Sequence, residues 1–356
     1  MKAALLLALL PAQAAPSPPE TRDIVGASHV AGTYHFTDRD FLNEGADVLL
    51  GLGTRVIKVW FMDRPGEKYP FNSRWSPPAT LVDLARADHF KALFSRKFTT
   101  FILETYAPGR PDHYYVKGMS PEDARREEGA IHDLAKHLLA EYAGSGKTFV
   151  LQNWEGDWAL TDSKTLREPD PAAIEGMIAW LNARQDGVDR ARREVPSRGV
   201  RVLHAAEANL VARAMKGHVT VTNSVFPRTR CDLYSYSCWD LPRGDGPKLA
   251  EALDYIASKA PDSALFGDRN VYLGEFGAPE NVVGGPEKQR DSVRTSVETA
   301  LRWGARYVVY WQLYCNEPAR KVEGKPSNAD CRGFWLIRPD GSKPPVWDYF
   351  RELLSR

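Results

Sequence analysis

The spacing of apolar residues switches repeatedly between two periods along this chain. Ile131, Leu134, Leu138 and Tyr142 recur every three or four positions and form one helical stripe. Ser120-Pro121-Glu122-Asp123 opens that helix with an N-cap, a first-turn proline and acids that complement the helix dipole. Short runs rich in β-branched and aromatic residues alternate with such stripes. They predict strands over 29–36, 56–61, 99–106, 149–154, 200–206, 232–237, 271–276 and 306–313. Helices are predicted over 40–50, 80–94, 120–142, from Asp170-Pro171 onward, 209–215, 247–259, 286–303 and 346–354. Parallel neighbours need a crossover of a dozen or more residues, so eight strands interleaved with helices predict an α/β fold, a single (β/α)8 TIM barrel. A doubly wound open sheet fits less well, because no glycine-rich phosphate turn follows the first strand.

Composition narrows the partners. The 356 residues are 43% hydrophobic, enough for a large core, and 47 Lys+Arg against 46 Asp+Glu leave a formal charge of +1. No global field favours nucleic acid or an anionic membrane. Ten Trp, 14 Tyr and 14 Phe offer flat faces suited to the C–H surfaces of sugars, or to core packing. Lys2, the apolar run over 3–10 and Ala12-Gln13-Ala14 read as a signal peptide over 1–14, followed by a linker over 15–24 and a catalytic barrel over 25–356. A secreted or periplasmic location is expected, with no membrane span. Of the four cysteines, Cys315 and Cys331 flank a polar loop and are the favoured disulfide pair; Cys231 and Cys238 bracket a strand that would hold them on the order of 20 Å apart. Oligomeric state is not legible.

Two predicted strands end on glutamates, in Gln152-Asn153-Trp154-Glu155 and in Leu273-Gly274-Glu275-Phe276-Gly277. In a barrel both would reach the carboxyl-end rim, and two facing carboxylates are the equipment for cleaving a glycosidic bond. Residues two apart on a strand share a face, so Asn153 and Glu155 would look into the site together. The other register turns Trp154 inward and leaves Asp157 as the acid.

The Asn/Glu pair after the fourth strand, Gly-Glu-Phe-Gly on the seventh and Tyr310-Trp311-Gln312 on the eighth resemble the retaining glycoside hydrolases of clan A. One departure is that Trp154 stands between Asn153 and Glu155, where the clan has the two adjacent. The resemblance implies Glu275 as nucleophile and Glu155 as acid/base, acting on an oligo- or polysaccharide without a cofactor. It further implies Tyr236 as a hydrogen-bond donor to Glu275, Trp311 as a platform beneath the sugar, and Lys58, sharing a face with Trp60, as a basic residue at the nucleophile. A lysine inside a barrel needs a charge partner, for which Glu275 or Glu104 would serve. His204 and Glu207 are candidate substrate contacts, His204 equally a core histidine. His29, His35, Asp38 and Glu207 have no diagnostic metal spacing, and no metal is expected. Trp154, Trp158, Trp239 and Trp60 would rim the cleft. Arg320, Lys321 and Lys325 in the loop over 316–332 point to an acidic glycan or to a solvated loop. A catalytically silent carbohydrate-binding barrel and a transglycosylase are the alternatives.

Overall fold

In the computed structural model, which describes residues 20–356, eight strands pair in parallel, each with its sequence neighbour, and β1 closes on β8. The strands are β1 Val25–Ser28, β2 Val56–Phe61, β3 Thr100–Thr105, β4 Thr148–Gln152, β5 Arg201–Ala208, β6 Leu233–Ser237, β7 Val271–Phe276 and β8 Val308–Tyr310. The fold is a (β/α)8 TIM barrel, as the alternation predicts. The expected signal peptide and the first half of the linker, residues 1–19, lie outside the described residues. Among the described residues no helix is long and apolar enough to cross a membrane.

The first strand differs from its expected position. The segment 29–36 is irregular, and the barrel begins instead with Val25-Gly-Ala-Ser28. That stretch is too short and small to carry a strand pattern, and closeness to β2 is the reason. A Cβ on Gly26 would lie 2.4 Å from the Val56 carbonyl oxygen. The helical segment expected over 80–94 is two helices, Leu81–Arg86 and Asp88–Ser95, interrupted at Ala87 by extended backbone. Ser120 and Asp170 cap the helices Pro121–Glu141 and Pro171–Glu194 as their sequences imply.

Val56, Ile102, Val150, Leu203, Leu233, Tyr272, Tyr307 and Val309 fill the barrel interior with an apolar layer. Above it, on the same inward faces, stand Lys58, Glu104, Gln152, Glu207 and Ser235. A much larger cluster lies between the strands and the helices. The polar inner layer is the floor of the site.

Candidate active site

Lys58 is the hub of that floor. Its ammonium lies 2.8 Å from Glu104 Oε1, 2.8 Å from Glu275 Oε1 and 3.3 Å from Glu207 Oε1, and all four side chains are almost completely buried. A fourth contact goes to the Gly274 carbonyl at 3.3 Å. Burial opposes the lysine's charge, but the three carboxylates outweigh it and raise its pKa well above the ordinary value. The sequence expectation that Lys58 needs Glu275 or Glu104 as partner is met by both at once. Among the described residues, Glu104, Glu207 and Glu275 are also the group whose oxygens lie close enough to share a cation, all within 4.8 Å of one another, and the ammonium of Lys58 bonds to each. His29, considered as a ligand, is instead held at 2.7 Å from the Phe41 carbonyl.

Glu207 ties this floor to the rim. Its Oε1 accepts from Ser235 Oγ at 2.7 Å and from Gln152 Nε2 at 3.1 Å, while its Oε2 accepts from the backbone N–H of Glu155 at 2.9 Å. Gln152 also donates to Glu104 Oε1 at 2.8 Å and accepts from the Tyr272 hydroxyl. Gln152, Ser235 and Tyr272 were not among the expected site residues, and Glu104 was expected only as a partner of Lys58. Strand parity could have found two of them, since Glu104 and Gln152 stand two residues beyond the inward Ile102 and Val150.

Glu275 reaches the cleft because β7 is irregular. Tyr272 and Glu275 are three positions apart, yet both point inward, and the pairing with β6 and β8 shifts register around Gly274. A Cβ at Gly274 would stand 1.9 Å from Ser235 Oγ and 2.7 Å from Glu207 Oε1. Only glycine leaves room there for the network. Glu275 Oε2 accepts from Trp239 Nε1 at 3.2 Å.

Glu155 arrives by a different route from the one expected. The strand ends at Gln152, whose side chain is inward, so continued alternation would have turned Glu155 away. The chain instead leaves the strand and takes a left-handed conformation at Glu155, with φ +32°. Such a backbone costs about 1–3 kcal/mol. The bond from its N–H to Glu207 and a 2.6 Å bond from Trp158 Nε1 to its Oε2 hold it in place. Both Glu155 and Glu275 line a cleft of about 520 Å³, whereas Glu104 and Glu207 lie beneath it.

Burial and the nearby charges of Glu275 and Glu207 raise the pKa of Glu155 well above the usual carboxylate range. Glu275 is pushed by burial to about 7, a rise held in check by Lys58. Both carboxyls are raised, but their surroundings differ as a proton donor and an anionic nucleophile require: Lys58 and Trp239 bond Glu275 and favour its charge, whereas the charges of Glu275 and Glu207 oppose that of Glu155.

Several sequence expectations are corrected. Tyr236 faces outward and donates to Asp240 Oδ1 at 2.6 Å, not to Glu275. Tyr234, two residues earlier on β6, faces the helices with it. His204 likewise points outward, bonded at 3.2 Å to Arg184 Nε, and burial with two neighbouring arginines lowers its pKa well below the ordinary value. Asn153 uses its side chain on the backbone of Glu207, accepting its N–H at 3.0 Å and donating to its carbonyl at 3.4 Å, so it braces β4 to β5. Asp157, the alternative acid, accepts three backbone N–H bonds away from the cleft. Trp60 and Trp311 do line the cleft, their rings 5.5 Å apart, as do Trp154, Trp158 and Trp239. Arg320 pairs with Asp330, and Lys325 lies over Phe36, so neither is part of the cleft wall. Cys315 and Cys331 are neighbouring free thiols in this structure.

The sequence matches no protein-family model and no curated protein. Its fold does match solved glycosidase barrels. A GH5_18 variant from Streptomyces cattleya in complex with Manb1-4GlcNAc superposes with a TM-score of 0.61 at 16% identity, covering 94% of this chain and 80% of that one. An exo-beta-1,4-mannosidase from Opitutaceae bacterium strain TAV5 gives 0.60 at 13% identity, over 93% of this chain and 59% of that one. A GH39 beta-xylosidase from Caulobacter crescentus gives 0.52 at 15%, over 94% and 71%. The chain thus shares its architecture with the TIM-barrel glycosidases of clan A, at identities that carry the fold alone.

Proposed function

We propose that the protein is an exported retaining glycoside hydrolase that cleaves O-glycosidic bonds of an oligo- or polysaccharide by double displacement. Glu275 attacks the anomeric carbon while Glu155 gives its proton to the departing oxygen; Glu155 then takes a proton from water as that water releases the sugar from Glu275. The observation that carries this reading is that, of four clustered glutamates, only Glu155 and Glu275 open onto the cleft, one raised far in pKa and the other held by a lysine. Trp60, Trp239 and Trp311 around them supply the flat faces a sugar ring packs on. The complex of the Streptomyces cattleya barrel with a disaccharide supports a carbohydrate partner. Export rests on the N-terminal sequence, and a mature N-terminus near Ala15 would be its sign.

The test is hydrolysis of a panel of β-linked oligosaccharides and aryl glycosides by wild type, Glu155→Gln and Glu275→Gln. Loss of nearly all turnover in Glu275→Gln, with glycan affinity kept, supports the proposal. Full residual activity removes it. A wild type that binds glycans without cleaving any of the panel favours the silent barrel.

A further inference from the structure

The wall of the cleft beside Glu275 carries a cationic ladder that the double-displacement chemistry does not use. Arg243, in the loop after β6, lays its guanidinium 4.8 Å from the ring centre of Trp239 and donates to the Cys238 carbonyl at 3.1 Å. Trp239 meets Phe334 edge to face at 5.5 Å, and Arg332 lies over Phe334 at 5.7 Å. Both arginines line the cleft. Arg332 has a carboxylate, Glu317, at 2.8 Å, and Glu317 also accepts from Trp311 Nε1 at 3.1 Å. Arg243 has none within 4.0 Å among the described residues. Burial, with Arg332 as an added repulsion, works against the charge of Arg243. This wall thus carries two guanidiniums and one carboxylate, which pairs with Arg332. The remaining charged cleft residues apart from the glutamate pair, Lys68 and Asp112, come from the loops after β2 and β3 across the barrel.

We infer that Arg243, supported by Arg332, is a binding site for the carboxylate of an acidic sugar, so that the substrate carries a uronic acid next to the bond being cleaved. The planar fork of a guanidinium matches a carboxylate with two parallel N–H donations, and stacking on Trp239 fixes its plane beforehand. Trp239 also sets the distance. Its indole N–H is on Glu275 and its face is under Arg243, so a carboxylate on Arg243 is kept an indole's width from the nucleophile's own charge. The same aromatic wall gives the uronate ring a surface to lie on. This inference rests on the glycosidase reading but is tested by binding, which needs no turnover.

The experiment is calorimetric titration of the turnover-arrested Glu155→Gln protein, alone and combined with Arg243→Gln or Arg332→Gln, each confirmed folded by its melting transition. Three ligands are compared: a neutral β-linked oligosaccharide, its counterpart with uronic acid units, and a sulfated counterpart. The uronate ligand is expected to bind about tenfold or more tightly than the neutral one. Arg243→Gln should erase that advantage, so that this protein binds the uronate and neutral ligands alike; Arg332→Gln should reduce it, and added salt should shrink it. Equal affinity for uronate and neutral ligands, or a preference untouched by Arg243→Gln, overturns the inference and leaves the function standing. Preference for the sulfated ligand overturns the assignment to carboxylate. Failure of every oligosaccharide to bind overturns this inference together with the proposed function.

Discussion

At the scale of single residues the account turns on Lys58, one cation among three buried carboxylates. Breaking a buried ion pair by removing one partner costs about 3–5 kcal/mol, because the charge left behind has no compensation. Lys58→Met is therefore expected to lower unfolding free energy by about that amount. The double variant Lys58→Met with Glu104→Gln should recover part of it; a double variant less stable than the single one would contradict the network. The same residues set the pH response. Under the proposed mechanism activity requires Glu275 ionised and Glu155 protonated, so the rate is expected to rise with pH as Glu275 loses its proton and to fall as Glu155 loses its own. Glu207→Gln removes a negative charge beside Glu155, which lowers the pKa of Glu155, so the basic limb of kcat/KM should move to lower pH. A basic limb that stays in place, or moves up, would show that Glu207 does not act on Glu155. Lys58 and its partners Glu104 and Glu275 were legible in sequence because a lysine in a barrel interior cannot stand alone; Glu207, expected to touch substrate, lies beneath the cleft as a further partner of Lys58. Tyr236 and Asn153 were expected in the cleft because side-chain pattern does not mark which parity faces inward, and of the two readings of His204 the core histidine is the one that holds.

At the scale of elements, two irregularities build the site. One is the shift in β7 at Gly274; the other is the exit from β4 at Gln152. Gly274→Ala would force its Cβ onto Ser235 and Glu207, and overpacking of this kind costs about 1–3 kcal/mol. Glu275 should be displaced along with it, so kcat should fall while the fold is retained. Ordinary kcat in a folded Gly274→Ala protein would mean that the shift has no role in aiming Glu275. The sequence motif pointed to Glu275, which lines the cleft, but not to the irregularity that turns it inward. Glu155 lines the cleft too, but by another route than the expected alternation, which fails where a left-handed residue follows the end of the strand. β1 escaped notice because a four-residue strand with glycine at a tight approach has no room for the bulky residues that announce strands. The loop over 316–332 belongs to this scale too. Cys315 and Cys331 are neighbouring thiols at its base, and it presents Glu317 to Trp311. Oxidation is expected to join this pair, raising Tm without loss of activity; peptide mapping that finds both thiols free in oxidised protein would contradict it.

At the scale of the whole molecule, alternation of periods was enough to specify a closed parallel barrel, because a parallel strand pair requires a crossover and eight such units close on themselves. The barrel then dictated where to look for chemistry. What no pattern could provide was which of four glutamates meets the cleft, since burial and exit angle are properties of the assembled interior. The polar floor, two positioned carboxylates and an aromatic, cationic wall together make one cleft on one rim. The most direct measurement of the central claim is covalent trapping. Incubation with a 2-deoxy-2-fluoro glycoside bearing an activated leaving group, followed by proteolysis and mass spectrometry, reports which carboxylate attacks. The account predicts a sugar adduct on the peptide carrying Glu275 and none on those carrying Glu104, Glu155 or Glu207; an adduct on any of those three would contradict it.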